Sequence, residues 1–229
     1  MSTNATTRWS LILAARGTDR DARLALEQLC SAYRPVVLAW FRRQGGAEPP
    51  EDATQAFFVH FLEHELHARA DAARGSFRAF LYAALRNHLR MGLREAAAAK
   101  RPRPASHADA SFDEACDPKG DPERAFDRDW ALQVLQRARD ALAREAARAG
   151  KARQFEALQP FLIEPPDPSD YALIGATLAM APNTVAVAVR RLRERLRALV
   201  RRELADTLPP GGDLDAELRW LKQALHAPD

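Results

Sequence analysis

One segment near the C-terminus has the residue types and the spacing that contact with DNA bases requires. Residues 189–202 contain seven arginines and one glutamate. Arginine can bridge O6 and N7 of guanine, asparagine can bridge adenine, and a short aliphatic side chain can contact the methyl group of thymine. On a helix, several such side chains share one side of the segment. The candidate base-contacting residues are Asn183, Thr184, Val187, Arg190, Arg191 and Glu194.

A helix with an apolar side would hold these residues outward. Counting 100° per residue, one apolar stripe follows the helical period and consists of Val185, Val189, Leu192, Leu196 and Leu199. A shorter apolar segment precedes it, residues 179–181 separate the two, and Pro182 suits the first helical position. This arrangement predicts a helix-turn-helix, with Ala179 standing where glycine is common. The alternative is a helical hairpin whose basic face is merely solvated.

A second basic stripe lies in the segment from residue 76 to about 99. Arg86, Arg90 and Arg94 recur at i, i+4 and i+8, away from the apolar side of the predicted helix. Arginine can hold phosphates, and the aromatic rings of the same segment can stack on unpaired bases. The stripe therefore indicates a candidate single-strand site, the alternative again being a solvated face. The residues of this candidate single-strand site are Arg86, Asn87, His88 and Arg90.

Acidic and hydroxyl side chains begin the helix before that segment. Glu51 and Asp52 would lie at its positive end, where a carboxylate contributes about 0.3–1 kcal/mol, and Thr54 and Gln55 follow. These four residues can cap the helix, contact a partner protein, or do both. The apolar stripe expected to bury this helix is Phe58, Phe61, Leu62 and Leu66.

Histidines in the same helix match a short metal-ligand pattern. His60, Glu63 and His64 fit H-x-x-E-H, a zinc-protease motif in inverted order. Zinc hydrolysis needs a third protein ligand and an open position for water, and no downstream acidic ligand helix is evident. The histidines are also predicted on the solvent side of the helix. We therefore expect no metal, no cofactor and no catalytic residue.

Composition and patterning predict an all-α fold of two small helical domains joined by an acidic linker. Alanine, leucine and arginine dominate, strand-type alternation is absent, and Pro35 is expected to kink or split the first long helix. Prolines and acidic residues cluster after residue 100, as in an extended linker. The predicted organisation is an N-terminal domain at 1–100, the acidic linker at 101–125, a C-terminal domain with the helix-turn-helix at 126–205, and an extension at 206–229.

Charge and cysteine content limit the class of protein further. The chain has 229 residues and a formal net charge of +3, so its basic charge is local rather than general. Cys30 and Cys116 lack CxxC spacing and are expected to be reduced thiols. Because no apolar segment is long enough to span a membrane, the sequence predicts a soluble cytoplasmic protein without a membrane partner.

Three strings of the sequence, in this order, carry a resemblance to a known family. EDATQAFFVHFL (51–62) is similar to a segment that docks on core RNA polymerase, and GSFRAFLYAALRNHLR (75–90) is similar to the helix that reads and opens the −10 promoter element. VAVAVRRLRERLRALV (185–200) is similar to the helix that recognises the −35 element. The chain thus resembles a bacterial RNA polymerase sigma factor of the extracytoplasmic-function (ECF) group, in a subgroup with a short C-terminal extension.

The resemblance implies a role for each candidate site. Promoter-specific initiation of transcription would be the function, with core RNA polymerase and promoter DNA as partners and no enzymatic activity in the chain itself. The helix-turn-helix residues would bind the −35 element. The −10 element would be bound by Arg86, Asn87, His88 and Arg90. Core polymerase would be bound by Glu51, Asp52, Thr54 and Gln55.

Thr54 is also a candidate phosphorylation site. Pro49 and Pro50 stand where members of the family have a fuller acidic cluster, and Ala56 stands where they often have glutamate. A phosphate on Thr54 would add about −1.5 to −2 charges there. The resemblance implies a Ser/Thr protein kinase as the partner that adds it. The alternative from another class is a stand-alone helix-turn-helix transcriptional regulator, which would bind duplex DNA by itself, usually as a dimer.

Overall fold

The computed structural model describes residues 20–46, 48–70, 75–99, 121–164, 166–209 and 211–226. Every regular element within these residues is helical, which confirms the predicted all-α class. The α-helices are α1 Arg20–Gln44, α2 Pro50–Glu63, α3 Leu66–Arg69, α4 Phe77–Ala99, α5 Pro122–Arg148, α6 Ala152–Leu158, α7 Pro168–Leu178, α8 Pro182–Ala205 and α9 Leu214–His226. A short 3₁₀ helix, Gln159–Leu162, follows α6.

The helices form two compact units. The first unit contains the described residues up to Ala131 together with those from Asp206 onward, and the second unit is Leu132–Ala205. Helix α5 begins in the first unit and ends in the second, whereas α9 belongs to the first unit. Residues 101–120, most of the expected acidic linker, lie outside the described residues, and the remainder of that linker enters the first turn of α5.

Aromatic rings form the centre of the first unit. Tyr33 of α1 stacks on Trp130 of α5 with 4.9 Å between ring centroids, and lies 4.8 Å from Phe77 of α4. Phe57 and Phe61 of α2 are 5.9 Å apart. None of these five side chains is more than 3% exposed. Tilted and offset ring pairs add to the free energy of burial, so the contacts of Tyr33 fix α4 and α5 against α1. A further ring contact, 6.4 Å between Phe41 and Phe57, fixes α2 against α1.

Of the two effects expected of Pro35, a kink or a split, the split is wrong, because helix α1 continues through this residue. A proline inside a helix removes one backbone hydrogen bond and crowds the preceding turn. The residues that follow it, Val36, Val37 and Trp40, are all buried. Because packing of an apolar face supplies most helical stability in proteins, this burial offsets the loss at Pro35.

Cys30 lies on α1, and Cys116 lies outside the described residues. The Cys30 side chain is half-buried, and this burial raises the pKa of its thiol to about 11. A thiol with so high a pKa is protonated and weakly nucleophilic at neutral pH. Cys30 is therefore a packing residue rather than a reactive one.

Helix α2 buries a different stripe from the expected one. The buried residues are Ala53, Thr54, Phe57 and Phe61. Of the expected stripe only Phe61 is buried, since Phe58 is half-buried and Leu62 is 39% exposed. Glu65 has a left-handed backbone conformation (φ 48°), which ends α2 and starts Leu66 in a separate helix. Two adjacent apolar stripes satisfy the helical period here, and tertiary packing selects the other one.

The core of the second unit lies beneath α7 and α8. Its buried residues are Leu158, Ile174, Val185 and Val189. Partly buried side chains surround them: Phe161, Tyr171, Leu178, Met180, Ala188 and Leu192. Side chains from α6, the 3₁₀ helix, α7 and α8 thus share one small core, which fixes α8 against the other three elements.

Within the described part of the chain, no single helix combines the length and apolar content needed to cross a membrane. Helices α7 and α8 reach that length and composition only as a pair, bent by 98° where they join.

Candidate nucleic-acid interface

Helices α7 and α8 meet at 98° across a turn of three residues, 179–181. Pro168 and Pro182 each occupy the first position of a helix, where a missing backbone N–H costs nothing. The carboxylate of Asp170 accepts a hydrogen bond of 2.9 Å from the backbone N–H of Asp167, which closes the first turn of α7. The start of each helix is therefore set by local sequence.

The turn between the two helices depends on a close backbone approach. Ala179 has a left-handed conformation (φ 53°, ψ 45°), which disfavours residues other than glycine. The backbone N–H of Met180 donates to the carbonyl oxygen of Gly175 at 2.8 Å. A Cβ at Gly175 would lie only 2.6 Å from the carbonyl oxygen of Met180. Glycine is thus required four residues before the turn, rather than at the turn itself.

Sequence reasoning missed Gly175 as a determinant of the site. It directed attention to Ala179, because a helix-turn-helix commonly has glycine in its turn. An isolated glycine inside an otherwise apolar helix was the available signal, since such a residue often marks a close backbone approach. The partner, the Met180 carbonyl group, becomes visible only in three dimensions.

The exposed side of α8 carries all the residues expected to contact DNA bases. In the expected apolar stripe, Val185, Val189 and Leu199 are buried, whereas Leu192 and Leu196 are half-buried. The opposite side contains the six candidate residues, and every one of them is exposed: Asn183, Thr184, Val187, Arg190, Arg191 and Glu194. The structure therefore brings them together on one solvent-facing surface.

One ion pair lies within this surface. Arg190 Nε is 3.8 Å from Glu194 Oε1, one helical turn away, and both side chains are more than half exposed. Exposed i,i+4 pairs contribute only about 0.3–0.5 kcal/mol. Arg190 can consequently exchange Glu194 for another anion or for a base at small cost.

Two arginines of α8 lie outside this group of six residues and have partners within the protein. The guanidinium of Arg193 donates to the carbonyl oxygens of Phe161 and Ile163 at 2.9 and 2.8 Å. Arg195 donates two hydrogen bonds, of 2.8 and 2.6 Å, to the carboxylate of Glu145 on α5. The hydrogen bond from Arg195 lowers the pKa of Glu145. These two arginines anchor α8. Helical spacing left them out of the base-contacting set, but the sequence did not predict their partners.

Two side chains of α6 contact the end of α7 and the turn between α7 and α8. Arg153 donates to the carbonyl oxygen of Thr177 at 3.1 Å, in the last turn of α7. Gln154 Nε2 lies 3.8 Å from the sulfur of Met180, within the turn itself. A cation at a helix C-terminus also complements the helix dipole. The angle between α7 and α8 is therefore held by side chains from a third helix.

The second basic stripe lies on α4 in the first unit. Arg86, Asn87, Arg90 and Arg94 are exposed, as the helical spacing predicts. His88 is not on this face. It is half-buried, with its ring edge-on to Phe57 at 5.5 Å and to Phe41 at 6.4 Å. Two residues along a helix correspond to a rotation of about 200°, which places His88 with the buried stripe and away from Arg86.

The N-terminus of α2 divides its four candidate residues between surface and core. Asp52 and Gln55 are exposed, and Glu51 pairs with Arg42 at 2.8 Å, a hydrogen bond that lowers the pKa of Glu51. Thr54 is 1% exposed, and its hydroxyl donates to the carbonyl oxygen of Pro50 at 2.7 Å. In this conformation the hydroxyl of Thr54 is inside the protein, so a kinase has no access to it unless α2 opens.

The histidines of the H-x-x-E-H string lie close together. The rings of His60 and His64 are 4.3 Å apart, and His60 is 5.1 Å from His88. His67, three residues after His64, is 5% exposed and packs against Phe61. Within the described residues, no group of three or more side chains has an arrangement that could hold a metal ion.

Comparison of the chain with protein-family models, with curated proteins and with solved structures finds no match.

Proposed function

We propose that this chain is a dissociable promoter-specificity subunit of bacterial RNA polymerase, a sigma factor of the ECF group that acts in the cytoplasm. The second unit would bind the −35 element through α7 and α8 as a helix-turn-helix. The first unit would bind core RNA polymerase and the −10 element. The chain would direct where transcription starts and perform no chemistry itself.

The observation that carries the proposal is the exposed side of α8, set by α7 at 98°. Helix-turn-helix motifs join two helices at about 90–120° through a short turn, and the second helix enters the major groove. Asn183, Arg190 and Arg191 lie on the exposed side within the first ten residues of α8, the half of a recognition helix that contacts bases. The hydrogen bonds of Arg193 and Arg195 support this role, because they fix the orientation of α8 relative to the rest of the second unit.

The first unit supplies the surfaces that the other two roles need. On α4 the exposed Arg86, Asn87 and Arg90 offer cations and an amide to an opened DNA strand. His88 is left out of this assignment because its ring packs in the core. On α2, Val59 is 45% exposed and Leu62 is 39% exposed, on the helix that also exposes Asp52 and Gln55. Exposed apolar residues with polar neighbours are typical of a protein interface.

A stand-alone transcriptional regulator would use α7 and α8 in the same way. The second basic face, on α4, favours the sigma factor, because a regulator that reads duplex DNA has no need of a separate single-strand surface. The two hypotheses differ in a simple property. A sigma factor depends on core polymerase, whereas a regulator binds duplex DNA alone, usually as a dimer on a palindromic site.

Transcription in vitro tests the proposal directly. Purified chain added to core polymerase on genomic templates should produce discrete start sites that core polymerase alone does not produce. Arg191→Ala should weaken binding to the upstream element by about 1–3 kcal/mol if Arg191 reads a base. Arg139→Ala, an exposed arginine of α5, serves as the matched control and should change neither measurement.

A different outcome would overturn the assignment. Stable binding of a dimer to a palindromic duplex, without any effect of the chain on core polymerase, would identify a regulator. Arg86→Ala with Arg90→Ala provides a second test: strand opening at the start site should fall while binding to the upstream element is retained.

A further inference from the structure

The C-terminal helix α9 packs on the first unit around one arginine of α4. The guanidinium of Arg78 pairs with the Asp127 carboxylate of α5, and its central carbon lies 4.0 Å from the centre of the Trp220 ring. The indole N–H of Trp220 donates to the other oxygen of Asp127 at 2.9 Å. Glu217 completes the cluster, with Oε1 3.8 Å from Arg78 Nε. The Arg78 side chain is only 17% exposed as a result.

Apolar contacts hold α9 in this position. Leu221 and Ala224 are buried, one turn apart on the same side of the helix as Glu217. Arg219, by contrast, is exposed and has only a 3.9 Å approach to Asp213. Helix α9 therefore packs on the rest of the first unit through the face that contains Glu217, Leu221 and Ala224.

Arg78 continues the basic face of α4 toward the N-terminus of that helix. It precedes Tyr82 by four residues and Arg86 by eight, so the three side chains follow one another along the helix. Tyr82 is half-buried, with its ring 5.2 Å from Phe126 of α5. The exposed part of the basic face consequently ends where the cover formed by α5 and α9 begins.

The groups that cover Arg78 resemble a nucleotide in their chemistry. Carboxylates and phosphates bind the planar guanidinium through similar charge-assisted hydrogen bonds. An aromatic ring over the guanidinium occupies the position that a nucleic-acid base takes when it stacks on arginine. Asp127 and Glu217 thus stand in for phosphate, and Trp220 stands in for a base.

We propose that α9 is an intramolecular mimic of single-stranded DNA, which covers the Arg78 end of the α4 basic face and keeps it from binding a strand. Release of α9 removes Trp220 and Glu217 from Arg78 and leaves Asp127 of α5 as its partner. A phosphate of the strand then replaces Asp127, which lengthens the strand-binding surface from Arg86, Asn87 and Arg90 to include Arg78. The inference rests on the proposed function only in assigning the α4 face to an opened DNA strand.

The test measures how tightly the full-length chain binds a labelled single-stranded deoxyoligonucleotide of mixed sequence. Trp220→Ala should bind the strand about three- to tenfold more tightly, the equivalent of one cation–π contact. Its dependence on salt should steepen by about 0.7 in the logarithmic slope, as expected for one more phosphate contact on a single strand. Trp220→Phe, which keeps the ring but loses the hydrogen bond to Asp127, should give a smaller gain.

Two further variants separate a cover from a purely structural helix. Arg219→Ala alters an exposed residue of α9 and should leave strand binding unchanged. Trp220→Ala combined with Arg78→Ala should lose the gain, because the newly available cation is absent. Circular dichroism and proteolysis establish that each variant is folded before binding is measured.

Weaker or unchanged strand binding by folded Trp220→Ala would overturn the proposal, and so would a gain that persists without Arg78. This failure is distinct from failure of the proposed function. If the chain directs transcription by core polymerase equally well with and without Trp220→Ala, and strand binding shows no gain, the sigma-factor function stands and the cover by α9 is refuted. If strand binding shows a gain that depends on Arg78, but the chain does not direct start-site selection by core polymerase, the cover by α9 stands and the sigma-factor function is refuted.

Discussion

Gly175 and Met180 approach so closely that the carbonyl oxygen of Met180 occupies the space a side chain on Gly175 would need. A Cβ there would be 2.6 Å from that oxygen, a distance that real Cβ contacts do not show. The contact is between two backbones, so no flexible side chain can move aside to relieve it. Any residue other than glycine at this position must shift the turn, and with it the start of α8.

Gly175→Ala is therefore expected to lower the free energy of unfolding of the second unit by about 1–3 kcal/mol, the usual result of overpacking. Gly92→Ala is the matched control, because Gly92 lies inside α4 and a methyl group added there would have no such neighbour within 4 Å. Alanine there should stabilise α4 by about 0.5–1 kcal/mol. Urea unfolding checks both values, and equal shifts of the same sign would contradict the role of the Gly175 contact.

Thr54→Glu is expected to destabilise the first unit rather than to imitate a useful phosphate. Thr54 is 1% exposed, and a carboxylate placed there would be buried beside the carbonyl oxygen of Pro50, which repels it. An uncompensated buried charge costs about 3–5 kcal/mol. Thr54→Val keeps the shape and loses only the hydrogen bond to the Pro50 carbonyl group, which is worth about 1 kcal/mol. Thermal unfolding distinguishes the two variants.

The opposite result at Thr54 would restore the phosphorylation hypothesis. A Thr54→Glu chain with wild-type stability and tighter binding to core polymerase would mean that α2 opens readily. The hydroxyl would then be accessible to a kinase despite its burial in the closed conformation of α2.

The first unit is expected to lose stability as the pH falls below 6.5, the ordinary pKa of histidine. Burial lowers the pKa of His60 and of His88, and a neighbouring histidine lowers each further: His64 for His60, and His60 for His88. A lowered pKa means that the unfolded chain binds protons which the folded chain does not. The free energy of unfolding therefore decreases with decreasing pH in this range.

Other charged groups around these histidines modify the effect without reversing it. Glu63 and Glu95 act to raise the pKa of His60, whereas Arg69 lowers it. Glu95 also acts to raise the pKa of His88. His88→Gln should flatten the dependence of stability on pH between about pH 7 and 5.

Arg195 and Glu145 provide a test of the difference between anchoring and contacting arginines on α8. Arg195→Ala should destabilise the second unit by about 0.5–1 kcal/mol, a small value because both side chains are partly exposed. Since the pKa of Glu145 is lowered, this contribution disappears as the pH falls through the range where the carboxylate is protonated. Glu145→Arg combined with Arg195→Glu should recover most of the loss.

The salt dependence of duplex binding supplies the contrasting measurement. Arg195→Ala should leave the logarithmic slope unchanged, because its side chain is bound to Glu145. Arg197→Ala, at an exposed position, should reduce the slope by about one if Arg197 contacts a phosphate. Equal changes in slope for the two variants would contradict the division of the arginines.

The sequence predicted the buried and exposed sides of α8 well because its apolar residues form only one stripe at the helical period. A single apolar stripe runs from Val185 to Leu199, and the opposite side is polar, so helical geometry alone assigns the exposed residues. Helix α2 offered two solutions, since Phe57 and Phe58, like Phe61 and Leu62, are adjacent apolar residues. Contacts from α1 and α4 decide between them, and those contacts are not encoded in the local pattern.

The roles of individual arginines could not be predicted for a related reason. Helical geometry leaves Arg193 and Arg195 out of the base-contacting set, but it does not identify their partners, which lie 30 to 50 residues earlier in the chain. A local pattern contains no information about such partners. Arg78 is the same case in the first unit, because its partner Trp220 belongs to the last helix described.

The membership of α9 in the first unit has a consequence for synthesis of the protein. A ribosome makes Leu132–Ala205 after most of the first unit and before α9, which takes several seconds at about 5–20 residues per second. During that interval the surface that receives Leu221 and Ala224 has no covering helix. The first unit therefore completes its folding after the second unit has been made, and a nascent chain is exposed to chaperones and proteases at that surface until α9 arrives.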